Sequence, residues 1–244
     1  MERAIVFEIT GKYGLFKKPY SPLSPVSFPV PPPTAIFGMV GAIAGFGKDE
    51  YLEHINDGEV QVGIRLRNSI RRYRAGLNLL VTKGSKYFRP VKKNPRTQIP
   101  AEFLVDPKYR IYFAHSNSEI IETLEQQLKA DETVYTPCLG IAQCIADVNY
   151  IGSFPIEKMK HRNGTLCLDC VIPLSRTRTP SVHYKPGAKL FRFRLPAMMA
   201  PDRTVTHYED VVVNENAEPV EVTLKDGYER IGGDDILLFP TCKT

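Results

Sequence analysis

No apolar run in this 244-residue chain is long enough to cross a bilayer. The longest, from Ala35 to Phe46, is broken by Gly38, Gly41 and Gly45 and falls short of the ~20 residues a spanning helix needs. Met1, Glu2 and Arg3 lead straight into a strand-like run, without the basic region and apolar stretch of a secretory signal. A soluble cytoplasmic protein without membrane contacts is therefore expected. The five cysteines (Cys138, Cys144, Cys167, Cys170, Cys242) are odd in number and irregular in spacing, which argues against a disulfide framework. Cys167 and Cys170 have the spacing of half a zinc site with His161 nearby, but no second Cys-x-x-Cys pair exists to complete it. Buried strand cysteines are the expected reading, with no metal and no cofactor. No internal repeat is present.

Net charge is small and unevenly placed. The net charge is only +5, yet Arg65 to Arg110 holds thirteen basic residues (Arg65, Arg67, Arg71, Arg72, Arg74, Lys83, Lys86, Arg89, Lys92, Lys93, Arg96, Lys108 and Arg110) against Glu102 and Asp106. That local excess of eleven leaves the rest of the chain at about −6, and cations so crowded repel one another unless a polyanion neutralises them.

Alternation and periodicity predict strands over Ala4–Ile9, Val60–Arg67, Tyr109–His115 and Asp147–Ile151, a small-residue helix over Ala35–Phe46, and an amphipathic helix over Ser118–Ala130. The order βαββαβ is that of the α+β, ferredoxin-like or RRM-like split βαβ arrangement. The second and third strands, normally joined by a tight turn, are separated here by the basic excursion, which is apolar enough (Leu77, Leu79, Leu80, Tyr87, Phe88) for a protruding hairpin. Residues 1–153 are read as this domain, with the insertion at about 68–108. Residues 154–244 are read as a small β-rich domain, with strands over 166–174, 188–195, 204–213, 220–224 and 235–239, and a turn at Gly232-Gly233. The third strand lacks the glycine-aromatic pattern with which RRM sheets stack bases, so its aromatics are expected in the core.

Between the first strand and the first helix stand seven prolines (Pro19, Pro22, Pro25, Pro29, Pro31, Pro32, Pro33), which stiffen the loop and let a helix begin only after Pro33. Thr34 is then the expected N-cap, and the free amides behind it, beside Lys17 and Lys18, form a candidate anion site. A polyproline ligand for an SH3-like partner is the lesser alternative, since such ligands sit on disordered tails.

These residues resemble the CRISPR-associated protein five family of the RAMP superfamily, the subunit that caps the 5′ end of CRISPR RNA in type I complexes. The likeness rests on Gly14 to Tyr20, on Phe28 to Thr34 entering Ile36 to Ala42, and on Arg96-Thr97-Gln98, Phe103 to Arg110 and Pro137 to Gly140. The resemblance implies a non-catalytic RNA-binding subunit whose thumb is the basic excursion and whose 5′-handle cradle includes Phe16, Lys17, Lys18 and Thr34. The implied partners are the guide RNA, the backbone subunit, the large subunit and the repeat-cleaving subunit. Lys17 stands where relatives often carry arginine, so it offers a point charge in place of a bidentate fork.

One branch of that family cleaves precursor RNA without metal, using a tyrosine, a lysine and a histidine, the last two adjacent at a strand end. Here that strand end reads Phe113-Ala114-His115, with the histidine but not the lysine. His115, and His183 beside Tyr184 and Lys185, are the weak catalytic candidates for a repeat endoribonuclease. Three consecutive side chains of an extended segment cannot converge on one bond.

Overall fold

The first strand is apolar at nearly every position because both its faces are covered. In β1 (Arg3–Thr10), Ile5, Phe7 and Ile9 join one core and Ala4 and Val6 a second core on the opposite face. A computed structural model describes residues 1–21, 23–55, 59–80, 96–161 and 164–240. After β1 come α1 (Pro33–Ala44), a helical turn α2 (Tyr51–His54), β2 (Val60–Leu66), β3 (Arg71–Leu80), β4 (Arg96–Val105), β5 (Lys108–His115), α3 (Ser118–Ala130) and β6 (Asp147–Pro155). The central sheet has the order β2-β5-β1-β6, antiparallel throughout, so β5 lies between β1 and β2 as the split βαβ arrangement requires. The fold is α+β and of the RAMP type. No helix among the described residues is long and apolar enough to cross a membrane.

Helices α1 and α3 cover one face of this sheet. Asn117 caps α3 by accepting the Glu119 N–H at 2.8 Å, and Ile120, Ile121, Leu124 and Leu128 point inward as their spacing predicts. The start of α1 differs from expectation. Pro32 is its N-cap and Pro33 its first residue, a place where the missing N–H removes no helical bond. Thr34 therefore lies within the first turn, buried, its hydroxyl donating to the Pro196 carbonyl at 3.4 Å. The helix ends at Ala44, two residues early, because Gly45 turns left-handed at φ 92° and returns its N–H to the Gly41 carbonyl.

The opposite face of the sheet is covered by the rest of the chain. Strands β7 (Glu157–Lys160), β8 (Leu166–Leu168), β9 (Thr177–His183), β10 (Leu190–Met199), β11 (Val205–Asn214), β12 (Val220–Leu224), β13 (Gly227–Ile231) and β14 (Asp234–Ile236) form small antiparallel sheets, β8-β12-β9 and β7-β13-β14 among them. Strands β7, β9 and β13 have no counterpart in the sequence reading, and the boundary drawn at 153/154 falls inside β6. Leu168, Ile172, Val220, Val222, Ile231, Ile236 and Leu238 pack with Ala4, Val6, Tyr112 and Ala114, while Leu195, Ala197, Val211 and Val213 pack with the helix-side core. Each buried Val, Leu or Ile among them contributes about 1.5–3 kcal/mol. A Cβ at Gly63 would meet Ile236 at 2.8 Å, so glycine lets the C-terminal segment lie directly on β2. Tyr109, Tyr112 and Phe113 are fully buried, and the base-stacking face of an RRM sheet is occluded.

An ion-pair network rivets this second face. Glu8, Arg110 and Arg65 stand in one cross-strand row of β1, β5 and β2. Two arginines directly opposite one another are unfavourable alone. Asp234 enters between them, bonded to Arg110 at 2.9 Å, to the Tyr112 hydroxyl at 2.6 Å, and to Arg65. Arg65 also pairs with Asp169, and Glu8 collects Arg110, Arg67 and Lys108 at 2.9, 3.1 and 3.0 Å.

Candidate nucleic-acid interface

The proline loop closes on itself before it meets anything else. Phe16 pairs with Phe28 and Lys17 with Ser27 in a short ladder, the Phe16 N–H donating to Ser27 Oγ at 3.0 Å and the Lys18 N–H to the Val26 carbonyl at 2.9 Å. Phe16 and Phe28 turn inward, Phe16 edge-on to Tyr109 at 6.2 Å. Lys17 turns outward, and the Lys18 ammonium lies 5.6 Å over Phe28 and 6.0 Å over Tyr20. Behind the loop, the Leu15 N–H donates to the Leu139 carbonyl at 2.9 Å, and Gly140 (φ 95°) backs against Leu15 so closely that a Cβ would overlap its carbonyl at 2.1 Å. This contact accounts for the Pro137 to Gly140 landmark.

The loop is also stapled to the hairpin β3–β4. That hairpin runs in unbroken register from Arg71↔Val105 to Leu80↔Arg96 and is largely exposed. Its base is joined by Tyr13–Gly14, which pairs with Leu104 and Val105. The Glu102 N–H donates to the Pro25 carbonyl at 2.8 Å, and Ser24 Oγ donates to the Pro100 carbonyl at 3.1 Å. A third piece completes the surface from β10, which sequence reasoning missed. Phe193 lies 6.1 Å from Phe28, and Phe191, 47% exposed, lies 5.9 Å under the Arg72 guanidinium. The alternation Phe191-Arg192-Phe193-Arg194 was the available signal for a strand with an aromatic face and a basic one behind it.

The sequence-predicted cations separate into two groups. Arg65 and Arg67 belong to the ion-pair network, and Arg72 is bound by Glu215 and by Glu102 at 3.6 Å, so these three candidate RNA contacts are already engaged by carboxylates. The Glu215 hydrogen bond, against the cost of burial, raises the Arg72 pKa further. Arg71 pairs with Asp106 at an exposed site. Arg74 approaches Glu102 at 3.4 Å but is 83% exposed, and Arg96 is exposed. Lys17, Arg71, Arg74 and Arg96 are thus exposed cations of the loop and hairpin, with Lys18 half-buried beside them. Phe16 and Thr34 are buried and shape the cradle without offering side chains to it. Lys83, Lys86, Arg89, Lys92 and Lys93 lie outside the described residues, as does the apolar tip expected between them.

His115 is 4% exposed. Its Nδ1 accepts the Asn117 N–H at 2.9 Å, its Nε2 has no hydrogen-bond partner within normal geometry among the described residues, and burial lowers its pKa, which keeps the ring neutral at pH 7. It borders an open groove of about 800 Å³ whose other lining residues include neither lysine nor tyrosine and whose arginine, Arg3, is engaged by Glu125 at 2.9 Å. His183 Nε2 lies 3.0 Å from Thr223 Oγ1, and Lys185 pairs with Glu221 at 3.0 Å while Tyr184 is 80% exposed. Cys170 is buried, its thiol pushed up to about 12 by burial, but Cys167 is exposed, contrary to expectation. Among the described residues no three metal-ligating side chains converge.

A split βαβ sheet with a long hairpin between its second and third strands and a loop-helix cradle after its first defines a RAMP-type protein. Residues 4–208 match the family model described as CRISPR-associated protein (Cas_Cas5), and the chain belongs to that family. Two solved structures share the fold. One is a chain of a CRISPR RNA-guided surveillance complex, with TM-score 0.52 and 14% identity over 90% of each chain. The other is a CRISPR protein from Archaeoglobus fulgidus, with TM-score 0.56 and 13% identity, covering 98% of this chain and 100% of that one. No curated protein matches.

Proposed function

We propose that this chain is the subunit of a type I CRISPR interference complex that grips the 5′ handle of the guide RNA without cutting it. One observation carries the reading: the Lys17-Lys18 loop, the hairpin β3–β4 and the aromatic end of β10 are hydrogen-bonded and stacked into a single exposed surface. Rigid cations there neutralise phosphates, and the hairpin supplies a wedge against which a nucleotide unstacks. The central sheet face is covered, whereas this surface presents basic and aromatic side chains to solvent. Membership of the CRISPR-associated family supports guide RNA as the polyanion, with the backbone subunit, the large subunit and the repeat-cleaving subunit as neighbours. Target sequence is then read by base pairing, not by this chain.

The test is end-labelled CRISPR repeat RNA incubated with the purified protein and a chelator, resolved on denaturing and native gels side by side. Intact RNA that shifts on the native gel is the expected result. A single cut within the repeat would replace this reading with a metal-independent processing nuclease, and no shift at low salt would remove both.

A further inference from the structure

A second concave site lies toward the other end of α1 from the basic loop. Gly38 and Ala42, one turn apart on the same helix face, leave the floor nearly bare, and Phe46, Tyr51, Tyr135, Lys48 and Arg203 stand around it. The space is about 380 Å³, near the lower end for small-molecule sites. Its walls are fixed. The Tyr135 N–H donates to the Ala42 carbonyl at 2.9 Å, the Phe46 N–H to the Gly41 carbonyl at 2.8 Å, and Phe46 stacks on His54 with centroids 4.4 Å apart. Tyr135 nevertheless leaves 53% of its surface exposed.

Arg203 supplies an independent sign. It occupies the turn between β10 and β11 at φ 67°, a conformation that glycine adopts freely and arginine does not. With the backbone so held, its guanidinium reaches back to donate to the Lys48 carbonyl at 2.7 Å and approaches Asp49 at 3.4 Å. A strained residue whose charged end reaches a concave aromatic site is a pointer to ligand contact.

We propose that this pocket binds a nucleotide, its base against Tyr51 and Tyr135 and its phosphate on Arg203 and Lys48. The lining residues include three aromatic rings and two cations, and the one carboxylate paired with Arg203, Asp49, is 94% exposed and so weakly held that an anionic ligand can displace it, which suits a flat π system carrying a negative charge. The nucleotide is either free or one unstacked residue of a bound single strand. Neither source requires the Lys17-Lys18 surface to be the handle site.

The experiment is saturation-transfer NMR of the full chain with AMP and UMP, beside photocrosslinking to a short oligoribonucleotide containing 4-thiouridine, in wild type, Tyr135→Ala and Arg203→Gly. Glycine suits the turn, so Arg203→Gly removes the phosphate contact while preserving the thermal midpoint. At least a tenfold loss of AMP and UMP affinity in both variants supports the pocket with a free ligand. Crosslinks to the peptide containing Tyr135, lost in both variants, support a strand as the source. Nucleotide contact unchanged in both variants, or no contact by mononucleotide or oligomer, overturns it. Failure of repeat RNA to bind while AMP still contacts Tyr135 would remove only the handle reading.

Discussion

Arg110 and Asp234 lie 124 residues apart in the chain and 2.9 Å apart in space. The pair joins the middle of the sheet to the last strand, in surroundings where the two side chains are 19% and 20% exposed. Breaking one partner of such a pair leaves a poorly solvated charge behind. Asp234→Asn leaves Arg65 with only Asp169 and Arg110 with only Glu8, two facing guanidinium groups with one carboxylate fewer between them, and is expected to cost about 2–4 kcal/mol. Thermal unfolding should then show a midpoint lower by about 5–10 °C. An unchanged midpoint would mean that the network holds no net stability.

The same network sets an acid limit. Burial alone would raise the carboxyl of Asp234, but hydrogen bonds from Tyr112 and Arg110 and the nearby guanidinium charges outweigh it and hold the group below its usual range. Glu8 is likewise lowered on balance, with Lys108 and Arg110 overcoming burial. Carboxylates depressed in the folded state give stability that is present above about pH 4 and is lost as pH falls through their folded values. Urea midpoints should therefore hold from pH 7 to about pH 5 and drop below about pH 4. A Glu8→Gln, Asp234→Asn double variant should be weaker at pH 7 and fall less steeply. Parallel curves would assign acid unfolding to other groups.

On the proposed RNA surface, the exposed cations and the paired ones should behave differently. Replacing Lys17 and Lys18 by alanine is expected to weaken repeat RNA binding with no loss of thermal stability. The slope of log affinity against log salt should become shallower by about 1.4, at about 0.7 per phosphate contact in a single strand. Arg65→Ala should instead lower the unfolding midpoint and leave that slope unchanged. Filter binding at four salt concentrations separates the two.

His115→Ala is expected to leave repeat RNA both bound and uncut, because the imidazole is enclosed and no lysine adjoins it. Cleavage that is present in the wild type and absent in the variant would restore the nuclease reading.

The helices and central sheet were legible because their signals are local. Ser118–Ala130 shows its apolar face at helical spacing, and β1 shows alternation of two buried faces. The start of α1 was misplaced because proline was read only as a breaker, although its fixed φ suits the first turn. Arg65 and Arg67 were taken for RNA ligands because a count of charge along the sequence cannot show that Glu8, Asp169 and Asp234 arrive from elsewhere in the fold. The same limit hid Phe191 and Phe193, whose partners Arg72 and Phe28 lie more than a hundred residues earlier. Composition marked the region of excess charge, and tertiary pairing decided which of its described cations remain exposed.

Strand β1 is the first made, yet both its neighbours come late: Phe113 opposes Ile5, and Pro155 opposes Arg3. At a synthesis rate of about 5–20 residues per second, β1 waits several seconds to tens of seconds on the ribosome before either ladder forms. Its unpaired backbone N–H and C=O edges and its apolar side chains stay unclaimed for that time, and contacts of such long range also slow folding once the chain is complete. Production of this protein should accordingly be limited by how well the nascent chain is shielded, more than by the stability of the finished fold.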